Sequence, residues 1–196
     1  MADASTHTRK RDLILAGERR VAAMVSARVI EKPKLAVWMI LIPVFFVFYF
    51  WQLSRYSDGR KTFSAKFMMT RQRTLDEVLR SIEAGVDTNI PAVVQVADIP
   101  DEIRKDYRGW VALLADHYRD LIQAHGNSYA ALVRSAYKSR TNYLLFLNRL
   151  NQVERDFDAA LKPHIAHTAD DVSGIIKRME DSTSAIRRQI AEEIFQ

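Results

Sequence analysis

Residues 129–161, YAALVRSAYKSRTNYLLFLNRLNQVERDFDAAL, carry the pattern that decides the fold class. Apolar side chains recur there at intervals of three and four, close to a heptad, which is typical of a helix buried along one stripe. The stripe comprises Tyr129, Val133, Ala136, Tyr143, Leu147, Leu150, Phe157 and Leu161. We therefore predict one continuous helix over 128–162 that ends at Pro163, since proline cannot extend a helix.

The same spacing predicts three further helices in the second half of the chain. One covers about 60–84 and ends at Gly85, and another opens at Pro100 and ends near His125. The last begins at Thr168 as N-cap, and residues 86–99 hold at most a short helix started by Pro91. Short links favour antiparallel neighbours, and no run alternates with period two. We predict an all-α fold, an elongated antiparallel bundle of three to four long helices within residues 54–196.

Residues 35–53, LAVWMILIPVFFVFYFWQL, form a long apolar run, in which Pro43 and Gln52 are the exceptions. At ~1.5 Å per residue a helix of this length spans about 28 Å, close to the thickness of a bilayer core. Trp38 near one end and Tyr49 and Trp51 near the other fit interfacial belts. The run therefore predicts a membrane anchor that separates residues 1–34 from residues 54–196.

The sequence leaves two geometries open for this anchor. Residues 20–34 and 54–68 each carry four Lys or Arg, so the charge bias that orients membrane segments is tied. A single span is the first expectation. Pro43 lies near the centre of the run, however, and is compatible with a re-entrant hairpin that keeps both flanks on one side. We expect a bacterial inner membrane, with the bundle on the cytoplasmic side.

The positive charge lies at both ends of the apolar run. The chain has net charge +5, but residues 74–196 carry 15 Lys or Arg against 19 acids, which argues against nucleic-acid binding. Anionic lipid headgroups fit this distribution better. The predicted headgroup contacts are Arg19, Arg20, Arg28, Lys32, Lys34, Arg55, Arg60 and Lys61. Residues 12–30 read as a basic amphipathic helix, which either lies at the membrane interface or packs on the protein's own domain.

The sequence offers little catalytic chemistry. It contains no Cys, which excludes disulfides, thiolate ligands and a cysteine nucleophile. It has no glycine-rich phosphate loop and no zinc-protease or serine-hydrolase motif. His164, His167, Asp170 and Asp171 are the best metal candidates, but such a loop is ordinary between helices, and His117 fits a buried bundle position. We therefore predict no catalytic, cofactor or metal site.

Two charged residues fall on the apolar seam of the helix over 128–162. Arg140 and Glu154 occupy seam positions, and a polar group there can fix the register of neighbouring helices. The alternative is that the helical pitch rotates the stripe and leaves both residues at its edge.

Three functions remain open on these residues. The first is a structural or scaffolding role for a membrane-anchored bundle that packs against a protein partner or a second copy of itself. The second is binding or remodelling of an anionic membrane surface by residues 1–73. The third is a ligand-sensing or metal-dependent helical domain. We expect lipid and protein partners and no enzymatic activity.

Overall fold

A computed structural model describes residues 2–29, 59–97, 99–165 and 172–196, and every regular element in those ranges is helical. We number the α-helices in chain order. They are α1 (Ala2–Val29), α2 (Gly59–Ala84), α3 (Ile90–Gln95), α4 (Arg104–Gln123), α5 (Tyr129–Tyr137), α6 (Arg140–Ile165) and α7 (Val172–Ile194). A single 3₁₀ turn, Asp101–Ile103, precedes α4. The predicted all-α class is confirmed for the described part of the chain.

Most predicted helix ends agree with the structure. Helix α2 ends at Gly85, whose φ of 66° is the left-handed conformation that glycine adopts without a Cβ penalty. The Val86 amide donates to the Ser81 carbonyl at 3.0 Å, which closes a Schellman motif. Asn89 caps the short α3, and Ser128 caps α5 by accepting a hydrogen bond from the amide of Ala131 at 3.2 Å.

The prediction of one continuous helix over 128–162 is wrong. The chain breaks between α5 and α6 at Lys138, whose φ is 63°. Two local hydrogen bonds of Asn142 stabilise the break. Its side-chain amide donates to the Tyr137 carbonyl at 3.0 Å, and its backbone N–H donates to Ser139 Oγ at 3.2 Å. These hydrogen bonds satisfy backbone groups that an uninterrupted helix would have paired.

Pro163 does not end α6, which continues to Ile165. Proline lacks only its own N–H donor, so the helix continues through Pro163 with one intrahelical hydrogen bond fewer. The predicted N-cap of the last helix, Thr168, lies outside the described residues, and α7 is described from Val172 onward.

Helix α1 is an integral member of the bundle. It is longer than the predicted amphipathic segment, and its apolar face belongs to the common core. The buried α1 residues are Ile14, Leu15, Val21, Ala22 and Val25. In the described part of the chain five helices have 20 or more residues. Four of them, α2, α4, α6 and α7, lie within residues 54–196, where three to four were predicted, and α1 is the fifth.

Helices α1 and α2 pack antiparallel. Arg11 of α1 pairs with Asp76 of α2 at 2.6 Å, and Glu18, further along α1, pairs with Arg71, earlier in α2, at 3.1 Å. At ~1.5 Å per residue, Val29 lies about 16 Å beyond Glu18, and Gly59 lies about 18 Å before Arg71. The last turn of α1 and the first turn of α2 therefore lie at the same end of the bundle.

The predicted membrane anchor, residues 35–53, lies outside the described residues. Among the helices that the structure does describe, none is both long enough and apolar enough to cross a bilayer.

Candidate functional site: a buried ionic network

Four charged side chains from four helices meet inside the bundle. The Arg71 guanidinium of α2 is only 2% exposed, and it donates from Nε to Glu18 of α1 at 3.1 Å. It also donates from a terminal nitrogen to Glu154 of α6 at 2.9 Å. Arg187 of α7, 5% exposed, completes the set. We call Glu18, Arg71, Glu154 and Arg187 the ionic network.

Arg187 also binds the Glu154 carboxylate. Its two terminal nitrogens donate to the two carboxylate oxygens of Glu154, at 2.5 and 2.8 Å, in a bidentate pair. One of those nitrogens also donates to the side-chain oxygen of Asn151, which lies one turn before Glu154. Such paired geometry makes burial of charge tolerable, because each guanidinium meets a carboxylate and additional acceptors.

The electrostatics of the network follow from this geometry. Burial alone would raise the pKa of Glu154, but the charges and hydrogen bonds of Arg187 and Arg71 outweigh burial and lower it. Burial likewise opposes the charge of Arg187, whose pKa is nevertheless raised by Glu154 and Glu18. Glu154 and Arg187 are therefore both ionised at neutral pH and form a charged pair inside the bundle.

Helix α4 joins the network through Tyr118. Its buried hydroxyl donates to the second carboxylate oxygen of Glu18 at 3.0 Å. Burial and the nearby Glu18 charge raise the pKa of Tyr118 well above its ordinary value, so the phenol keeps its proton and remains a donor. Five long helices thus meet at one connected set of polar side chains.

An aromatic cluster lies beside the network and contains His117. The imidazole is 3% exposed, it stacks on Phe146 with ring centroids 4.3 Å apart, and its Nδ1 lies 2.7 Å from the Tyr137 hydroxyl. Burial, with the charges of Arg187 and Arg71, lowers the pKa of His117 to about 3. The prediction of a hydrogen-bonded bundle histidine is confirmed, and His117 is neutral at physiological pH.

A small cleft opens on one side of the network, with a volume of about 50 Å³. Its wall includes Arg71 and Glu154 of the network. The rest of its lining comes from α4, α6 and α7, namely Trp110, Asn151, Arg155, Phe157, Asp158, Met179, Glu180 and Thr183. Arg71 Cζ lies 5.4 Å from the centroid of the Trp110 ring, a cation–π distance, so the aromatic wall and the network are in direct contact.

The two predicted register residues have different positions. Glu154 lies at the centre of the ionic network and links three helices, as a register residue would. Arg140 lies on the surface, half exposed, and pairs with the exposed Glu192 at 2.8 Å. Of the two alternatives, Arg140 therefore fits the edge position, since the break at Lys138 starts a new helix at this point.

The predicted headgroup residues are divided between the described and undescribed parts. Arg20 donates to Glu193 at 2.6 Å and Arg28 donates to Gln189 at 3.1 Å, so both contact α7, while Arg19 is exposed. Arg60 and Lys61 lie in the first turn of α2. Lys32, Lys34 and Arg55, like the anchor residues Trp38, Pro43, Tyr49 and Trp51, lie outside the described residues. The headgroup contacts stay a prediction.

The metal candidates are mostly outside the described residues as well. His164 lies in the last turn of α6, whereas His167, Asp170 and Asp171 are not described. Among the described residues, no cluster of three or more histidine and carboxylate side chains is arranged to hold a metal ion.

Sequence reasoning found one member of the ionic network and missed the other three. A signal for all three was present. Arg71 falls between Met68 and Leu75 on the apolar stripe of α2, and Arg187 falls between Ile186 and Ile190 on that of α7. A lone cation on an apolar stripe indicates a buried ion pair, because an unpaired one would be too costly to bury. Glu18 carried the equivalent signal, as an acid between Ile14 and Val21 on the apolar stripe of α1.

Comparisons with known proteins add no homology to this description: no family model, no curated protein and no solved structure matches the chain.

Proposed function

We propose that the protein is a membrane-surface structural protein. In this proposal residues 35–53 attach the helical bundle to a membrane, and the residues on both sides of that run lie on the same membrane face. The bundle then serves as a docking platform for a protein partner or a second copy of the chain. The observation that carries the proposal is the antiparallel packing of α1 against α2.

The packing of α1 bears directly on topology. Residues before the apolar run, such as Glu18, are bonded to residues after it, such as Arg71 and Tyr118. A single span would place α1 and α2 on opposite sides of the bilayer. Arg71 would then lack its partner Glu18 in the core. Loss of one partner from a buried ion pair costs roughly 3–5 kcal/mol. The packing therefore favours a run that enters and leaves through the same face.

The ends of the two helices support the same topology. Because α1 ends and α2 begins at one end of the bundle, the chain leaves and re-enters the folded domain at neighbouring points. The equal basic flanks of the apolar run then lie on one membrane face, where both can meet anionic headgroups. Each Lys or Arg near such a surface contributes roughly 1 kcal/mol.

Three exposed apolar side chains support a docking role for the bundle itself. Val86, which follows α2, is 53% exposed, and Val96, which follows the short α3, is 61% exposed. Leu145 on α6 is 58% exposed. Of the three, Leu145 lies within a long helix, and a partner helix would bind there through apolar anchors along its face.

Co-flotation with vesicles tests the membrane attachment. The full-length chain should float with vesicles that contain anionic lipid, and high salt should weaken the attachment through the basic flanks. The variant Phe45→Ser, Phe46→Ser, Phe48→Ser should remain at the bottom of the gradient. The matched control is Val86→Ser, Val96→Ser, Leu145→Ser, which removes three exposed apolar side chains from the bundle and should float like the parent. Equal flotation of the two triple variants would contradict the attachment.

A further inference from the structure

Helices α2 and α4 run in the same direction. In the first half of both helices, Thr70 Oγ1 of α2 lies 3.3 Å from the Tyr107 hydroxyl of α4. Further along both, Arg119 of α4 donates to the hydroxyl of Thr88, which follows α2, at 2.6 Å. The start of α4 therefore lies at the end of the bundle where α2 begins.

Helix α6 runs in the opposite direction to α4. Tyr107, early in α4, packs against Phe157 of α6 with ring centroids 5.9 Å apart. His117, late in α4, stacks on Phe146, which comes earlier in α6. The last turn of α6 therefore lies where α2 and α4 begin.

Helix α7 returns alongside α6 to the same end. Arg140, at the start of α6, pairs with Glu192 near the end of α7, and Asn151 donates to Ser184 at 3.3 Å. At ~1.5 Å per residue, α6 continues about 21 Å beyond Asn151, and the described part of α7 begins about 18 Å before Ser184. The end of α6 and the start of α7 are therefore nearly level.

This end of α6 and α7 lies beside the point where the apolar run leaves and re-enters the bundle. We call its described residues, 162–165 and 172–178, the α6–α7 tip. The ionic network fixes α1, α2, α6 and α7 to one another. Packed helices lie roughly 8–10 Å apart, so a membrane surface that meets the end of α1 and the start of α2 also meets the tip.

The tip carries positive charge. It includes no Asp or Glu and three exposed basic side chains, namely Lys162, Lys177 and Arg178. Lys177 pairs with Asp181 at 3.5 Å, but the two side chains are 76% and 68% exposed, so the ammonium stays accessible. Asp170 and Asp171, between the two ranges of the tip, lie outside the described residues.

We propose that the α6–α7 tip is a second membrane contact, in which Lys162, Lys177 and Arg178 bind the phosphates of anionic lipid headgroups. Each Lys or Arg near such a surface strengthens binding about fivefold. The inference rests on the proposed attachment through residues 35–53. It adds that the bundle stands with one end on the membrane, rather than being only tethered to it.

Energy transfer from a dye on the full-length chain to acceptor lipids in the headgroup layer tests this orientation. The dye is attached to a single cysteine at Ser173, in the first turn of α7, or at Asn127, between α4 and α5, both of which are exposed. The 26 residues of α6 separate the two ends of the bundle by about 39 Å. On vesicles with anionic lipid, transfer should be high from position 173 and low from position 127.

Removing the positive charge of the tip tests the lipid contact itself. The variant Lys162→Gln, Lys177→Gln, Arg178→Gln should lose at least half of the difference in transfer from position 173 between anionic and neutral vesicles. The matched control removes three exposed cations that lie away from the tip and should change nothing: Arg80→Gln, Arg140→Gln, Arg149→Gln.

Co-flotation of the same samples separates this inference from the proposed function. Chains that float with the vesicles but transfer equally from positions 173 and 127 would overturn the second contact and leave the attachment intact. An unchanged signal in the tip variant would do the same. Chains that do not float would overturn the attachment, and this inference with it.

Discussion

Arg71 and Glu18 lie on opposite sides of the apolar run in sequence, yet they form a buried ion pair at 3.1 Å. Their side chains are 2% and 10% exposed, so the pair is inside the bundle and not on its rim. Residues before and after the run therefore fold as one domain, and the pair connects α1 to the rest of the network through Glu154.

Removing the Arg71 guanidinium should be strongly destabilising. Arg71→Met leaves Glu18 and Glu154 with fewer donors in the core, and loss of one partner from a buried ion pair costs roughly 3–5 kcal/mol. Arg140→Met is the matched control, because Arg140 forms an exposed pair with Glu192, and such pairs contribute about 1 kcal/mol or less. The free energy of unfolding from denaturant titration checks both values. Similar losses in the two variants would show that the network does not stabilise the fold.

Two glycines in helices should respond to alanine in opposite directions. A Cβ at Gly17 of α1 would lie 2.4 Å from the ring of Tyr129 on α5, too close without a shift, whereas a Cβ at Gly109 of α4 meets nothing within 4 Å. Gly17→Ala should cost roughly 1–3 kcal/mol, since overpacking displaces well-packed side chains. Gly109→Ala should stabilise by about 0.5–1 kcal/mol, because alanine is the better helix former.

Thermal or denaturant unfolding of the two glycine variants checks these signs. The Gly17→Ala variant also reports on α1 itself. If α1 did not pack against α5, alanine would stabilise position 17 as it does position 109. A gain of stability in both variants would therefore contradict the docking of α1.

His117 should make stability depend on pH in the mildly acidic range. Its pKa is about 3 in the folded protein and 6.5 in the unfolded chain, so the unfolded state binds the proton first. Stability is then fully present above pH 6.5 and is lost as pH falls toward 3, by about 1.4 kcal/mol per pH unit. His117→Gln should remove most of the slope between pH 6.5 and pH 5 in denaturant titrations. An unchanged slope in this variant would show that His117 is not buried in its neutral form.

The sequence was sufficient for several helix ends, but insufficient for the break at Lys138 and for the way that helices meet. The ends at Gly85 and Ser128 follow from backbone chemistry within a few residues, which is why they were predicted. The break at Lys138 was missed because the apolar spacing continues through it. Ser139 and Asn142, whose hydrogen bonds stabilise the break, are ordinary polar residues in the sequence.

The candidate site, too, is only partly predictable from the sequence. Glu154 was singled out by its seam position, but its partners come from α2 and α7, and only tertiary packing brings them together. The role of α1 was open because its basic, weakly amphipathic sequence fits a membrane surface and a bundle equally well. The contacts with α2 and α7 bury the apolar face of α1 in the bundle, and no local pattern encodes that packing.

The most direct test of the same-face topology is cysteine labelling in intact cells, since the natural chain contains no Cys. Ser5 and Asn127 are both exposed and lie on either side of the apolar run, so each is replaced singly by cysteine. A membrane-impermeant maleimide should label the two variants alike. If the bundle faces the cytoplasm, neither variant is labelled before lysis; if the bundle faces outward, both are labelled in intact cells. Labelling of only one variant in intact cells would contradict the account, because α1 and the bundle would then lie on opposite sides of the membrane.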